Sequence, residues 1–163
     1  MATLSRVAAA ILAGVLLIAP ATAQSPASAP VLSLDGKVKQ PQHWSLDDLK
    51  KMQAQHADVS YQTEHGPVTA NYTGVLLWSL IDLAGGVDDT TRNAVVRHTI
   101  RITATDGYVV VLSTGEIAPD FGNTRALVAY ERDGKPLDNF RVVLPGDKHG
   151  ARDIHDVTTI AVE

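Results

Sequence analysis

The chain has 163 residues, a formal charge of −4, 45% hydrophobic residues and no cysteine. A mildly acidic chain lacks the clustered Lys and Arg that phosphate neutralisation requires, which argues against a nucleic-acid partner. Without cysteine, disulfides, thiolate nucleophiles and thiolate metal ligands are excluded together.

Residues 1–23 read as a secretory signal: Arg6 supplies the basic start, Val7 to Ala19 the apolar run, and Ala21-Thr22-Ala23 the small-residue cleavage site. The apolar run is shorter than the roughly 20 residues of a membrane-crossing helix. Export to the periplasm with cleavage after Ala23 is therefore expected, and no lipid-modifiable cysteine follows. Residues 24–30, QSPASAP, form a linker with nothing to bury. Residues 31–163 are left as one domain, long enough for a proper core.

Val31 to Leu34 predicts a short strand closed by Asp35-Gly36. Ser45 predicts an N-cap, with Asp48 three residues on and Leu46, Leu49 and Met52 as the helical face. Trp44, just before the cap, suits a staple to the core better than a ligand-stacking role. Asp58 to Thr63 and Pro67 to Tyr72 predict two extended segments around Glu64-His65-Gly66. Thr73 predicts the cap of a main core helix, Gly74 to Ala84, ended by Gly85-Gly86. Val95 to Thr105 alternates as a strand, and Asp106-Gly107 turns it into a second one, Tyr108 to Leu112. His98, on the apolar side without a partner histidine at metal spacing, reads as a hydrogen-bonded core residue. Ser113 to Pro119 predicts one capped helical turn before the loop Asp120 to Asn123. The mixed, non-alternating order of strands and helices predicts an α+β domain.

The last part of the chain concentrates chemistry. The run Val142-Val143-Leu144 stops at Pro145-Gly146, and a second run ending in Ile160 and Val162 follows a polar interval. That interval, Asp147 to Asp153, packs two cations, two anions and an imidazole into a loop held between strands, which is how a rigid scaffold presents a polar site. Elsewhere, no Ser lies in a Gly-x-Ser-x-Gly elbow, no two of the six histidines stand at i, i+4, and no Gly-rich phosphate loop precedes a helix. The pairs Asp47-Asp48 and Asp88-Asp89 lie where helix starts attract acids. On spacing alone, Asp147, Lys148, Arg152 and Asp153 read equally as exposed ion pairs.

The stretch Arg141 to Val162 resembles the C-terminal signature of the sulfite-oxidase-type molybdopterin-binding domain, where a strand ending in Pro-Gly runs through Gly-Ala-Arg into a further strand. Leu127 to Leu137, with Glu131-Arg132-Asp133-Gly134-Lys135-Pro136 at its turn, is similar to the preceding hairpin of that family. Tyr72-Thr73-Gly74-Val75 and Thr105-Asp106-Gly107-Tyr108 extend the resemblance, which covers most of the chain after the leader. It implies a mixed sheet with a few short helices and a pterin cofactor. Gly150-Ala151-Arg152 matches the motif whose arginine helps hold that cofactor. A pterin has a flat ring that stacks and a polar edge suited to a carboxylate or a guanidinium. Arg152 is thus expected to orient the ligand, His149 and Lys148 to line the mouth, Asp147 or Asp153 to accept from the amino edge, and Tyr108 or Phe121 to stack. His155-Asp156 stands where the family has Lys-Trp, placing a titratable contact beside an acid. The family's molybdenum-binding cysteine falls near Tyr61 to Glu64, none of which supplies a thiolate.

Small, exported, cysteine-free domains of this kind include binders of reduced pterins that serve membrane signalling proteins. The first expectation is such a binding protein, without metal, reporting its occupancy to a membrane-bound signalling or redox partner. The alternatives are a molybdopterin-dependent oxidoreductase with unusual metal coordination and an interaction module with a vestigial pocket.

Overall fold

A computed structural model describes residues 29–163; the signal at 1–23 and most of the linker lie outside the described residues. In chain order, β1 (Val31–Gly36) and β2 (Gln42–Ser45) lead into α1 (Leu46–Lys50), followed by the hairpin β3 (Gln55–Thr63) and β4 (Gly66–Leu76). Next come α2 (Leu77–Leu83), β5 (Thr99–Ala104), β6 (Val109–Ser113) and α3 (Thr114–Ile117). The hairpin β7 (Leu127–Arg132) and β8 (Lys135–Val143), a 3-10 turn at Gly150–Arg152 and β9 (Ile154–Val162) complete the chain. The expected α+β architecture, a mixed sheet with a few short helices, is what these elements form.

The sheet runs β2-β1-β9-β8-β7-β4-β3, with β5 added to β9 and β6 to β5. β9 is its hub. Its first half pairs with β8, and its second half takes β5 antiparallel and β1 parallel. Period-2 patterning sends alternate residues of β7 and β8 into different cores: Val128, Tyr130 and Val142 join the main cluster, Leu127, Ala129 and Val143 a smaller one with Tyr61 and Tyr72. At about 25 cal/mol per Å² of apolar surface removed from water, these clusters are the main source of stability in a chain without disulfides.

Local signals hold at several joints. Ser45 caps α1, its side chain accepting from Asp48 N while the Asp48 carboxylate accepts from Ser45 N. Trp44 is buried beside that cap, as a staple requires. Ser113 caps α3 by accepting from Gly115 N. His98 sits between the Asp89 carboxylate at 2.8 Å and Glu163 O at 2.9 Å, the hydrogen-bonded histidine that was expected.

The helix expected from Gly74 is a correction. β4 continues to Leu76, α2 begins at Leu77, and Leu76 at its N-cap makes no side-chain cap bond. A Cβ on Gly74 would lie 2.2 Å from Val128 O, so the missing side chain serves close strand pairing with β7. Thr73 bonds His56 and Glu131 across the sheet instead of capping a helix. The strand expected from Val95 is likewise shorter, because Ala94–Val96 forms a 3-10 turn and only Thr99–Ala104 pairs.

Candidate functional site

The loop between β8 and β9 is tied to the scaffold on three sides. Gln62 N donates to Lys148 O at 2.9 Å, joining the loop to the end of β3. Tyr108, just before β6, donates its hydroxyl to Ala151 O at 2.8 Å. Arg152 donates twice to Asp147, at 2.9 and 2.6 Å, and once to Glu116 of α3 at 2.8 Å. Those carboxylate bonds hold the Arg152 guanidinium firmly in its charged form. Gly150 packs under the Tyr61 ring, where a Cβ would come within 2.9 Å of Cε2.

Beneath the loop lies a charged cluster that the sequence reading missed. Asp153, whose side chain is only 6% exposed, accepts from the Tyr61 hydroxyl and from Arg141 Nε. Arg141 also sits 5.7 Å from the centre of the Tyr72 ring. Burial, and then the Asp153 carboxylate, push the Tyr61 phenol well above its ordinary range. Burial likewise raises Tyr72, whose hydroxyl is enclosed without a hydrogen-bond partner among the described residues. The available signal was Arg141 itself, a lone cation between Phe140 and Val142 in an otherwise apolar strand end.

Two clefts flank Gly150-Ala151. One, of about 210 Å³, is walled by Asp106, Tyr108, Ala151, Asp153 and His155. The other, of about 550 Å³, lies against Gln62, Thr63, Glu64 and His149. The fold thus brings Tyr108, Asp153 and His155 to one cleft and His149 to its neighbour. Lys148 is exposed beside them. Asp147 and Arg152 are engaged with each other and line neither cleft. Phe121, 54% exposed in the loop after α3, also lines neither. His155 bonds Asp156 at 2.8 Å, and that bond, with one from Asn139, lowers the Asp156 carboxyl.

This fold and this loop define a cofactor-binding domain of the molybdopterin class. Residues 21–163 match the model of the oxidoreductase molybdopterin-binding domain, and the chain belongs to that family. The crystal structure of the sulfane dehydrogenase SoxCD from Paracoccus pantotrophus shares the fold, with a TM-score of 0.65 at 16% identity over 82% of this chain and 38% of that one. The chain therefore spans well under half the length of that protein. No curated protein sequence matches it significantly.

Family membership implies a pterin cofactor, and the family normally carries molybdenum on it. The donors at Tyr61 to Glu64 are a phenol committed to Asp153, an amide, a hydroxyl and a carboxylate. Among the described residues, no three His, Asp or Glu side chains gather as a metal-binding group. This donor set does not fit a protein-thiolate anchor for molybdenum. The smaller cleft, with an aromatic ring, a carboxylate and an imidazole on its walls, suits the ring and polar edge of a pterin.

Proposed function

We propose that the chain is a periplasmic binding domain for a pterin-like small molecule, held without a protein-metal bond, and that its occupancy is read by a membrane-bound partner. The observation that carries this reading is the cleft at Ala151 and Tyr108 in a family fold whose thiolate position holds only oxygen and amide donors. Tyr108 offers its ring face and His155 faces the ligand's polar edge, whereas the Asp153 carboxylate, expected to accept from the amino edge, is buried under the loop and committed to Tyr61 and Arg141. Arg152 orients the ligand through the loop, because its bonds to Asp147 and Glu116 fix where Ala151 and Asp153 stand. His149 and Lys148 border the mouth. No bond is broken in this scheme; signalling requires only that bound and free forms differ in affinity for the partner.

The test is mass spectrometry with metal analysis on small molecules released from protein purified out of the periplasm, wild type against Arg152→Ala. A metal-free pterin retained by wild type and lost in the variant is the expected result. Molybdenum near one equivalent would overturn it in favour of an oxidoreductase, and a wild type that retains no pterin would overturn it as well.

A further inference from the structure

Among the described residues, the strand β6 lies at an edge of the sheet and pairs only with β5. Its phase is fixed by bonds at both ends: Ala104 N donates to Tyr108 O and Thr114 N to His98 O, both at 3.0 Å. Hydrogen-bonded pairs recur every second residue in an antiparallel ladder, so Leu112 and Val110 also bond inward. Val109 and Val111 therefore turn both N–H and C=O away from β5, toward solvent, and Ser113 its N–H, while the Ser113 carbonyl opens the ladder of α3. β5 shows the complementary phase, since Thr99 exchanges both bonds with Glu163 on its other side.

Edge strands are normally blunted by charge, proline, a bulge or a cover. Among the described residues, the other two edges follow that rule: β2 has only four residues, and β3 exposes His56, Asp58 and Gln62, with its end closed by Lys148 O. β6 does not follow it. From Tyr108 to Ser113 it carries no charge and no proline, and it exposes Val109 at 39% and Val111 at 49%.

We infer that β6 is a self-association edge, covered by β6 of a second copy running antiparallel about a two-fold axis at Val111. In that register Val111 faces Val111 of the second copy and Val109 faces its Ser113. The Val109 and Val111 carbonyls and the Val111 and Ser113 N–H groups then find hydrogen-bonding partners in one step. Cross-strand valines supply the side-chain contact. No other register symmetric about the strand pairs all three. With five residues in β6, the contact falls short of the ~1,200–2,000 Å² of a stable interface. The dimer is consequently concentration-dependent and exchanging. The two-fold contact is isologous, so it closes at two copies.

Sedimentation velocity on the exported, cleaved chain across a concentration series tests this. Wild type and Val111→Thr, which keeps the β-branch, should both shift toward dimer as concentration rises. Val111→Lys and Val111→Glu each place like charges face to face and should lose the dimer, while their equimolar mixture should regain it. The exposed position leaves the monomer fold intact, checked by circular dichroism. A wild type that stays monomeric throughout, a dimer that survives in either charged variant alone, or a mixture that stays monomeric would each overturn the inference.

Discussion

The Tyr61 hydroxyl donates to the Asp153 carboxylate, locking the end of β3 to the residue just before β9. Arg141 shares that carboxylate. Replacing Asp153 by Asn leaves a largely buried guanidinium without its counter-charge, and such losses cost about 3 kcal/mol. Tyr61→Phe removes one charge-assisted bond, about 2 kcal/mol. Urea unfolding of the two single variants and the double variant should show a double cost well below the sum, because both act on one network.

Gly74→Ala should destabilise by about 2–3 kcal/mol, since the new methyl meets the backbone of Val128 and Ala129, which has no room to yield. Thermal unfolding measures it. Gly86→Ala, which has open space but a φ of +81°, makes a useful comparison, because there the cost is conformational strain alone.

The capping box at Ser45 gives a pH signature. Ser45→Ala should cost about 1 kcal/mol. Bonds from the Ser45 side chain and then its backbone depress Asp48 from the ordinary 3.8 to about 2. A depressed carboxyl stabilises the fold above its unfolded value, and that contribution disappears as pH falls through the folded one. The stability difference between wild type and Asp48→Asn should be full at neutral pH and shrink from near pH 4 to near pH 2, read from unfolding curves at each pH.

Ligand linkage offers a check on the proposed cleft. A reduced pterin at 100 times its Kd should stabilise the wild type by about 2.7 kcal/mol. Tyr108→Ala, which removes both the ring and the bond to Ala151 O, should unfold at the same temperature with or without the added pterin. An equal shift in both proteins would remove Tyr108 from the site.

Much of the scaffold was legible because strand periodicity and turn chemistry agree locally. Glu64-His65-Gly66 marked the β3–β4 turn, the likeness of Leu127 to Leu137 to the family's hairpin marked β7–β8, and the run ending in Ile160 and Val162 marked β9. The helix start at Gly74 was misread because Leu76, Leu77 and Leu80 suit a helical face as well as a strand running into one. What decides between them is the approach of β7 to Gly74, a contact between segments more than fifty residues apart. The same holds at the site. Arg152 and its loop stand out in the sequence, whereas Tyr61, Tyr72 and Arg141 meet only after β3, β4 and β8 have paired through β7. Phe121 had the right ring but sits on a loop that the fold carries elsewhere.

The parallel pairing of β1 with β9 sets the order in which the molecule is completed. Gly36 lies so close to Val162 that a Cβ there would collide with its carbonyl oxygen, and Lys37 N donates to that oxygen at 2.6 Å. The first strand of the sheet thus waits for β9, and the hub is completed only when the two ends of the domain meet. Contacts of such long sequence separation make closure slow.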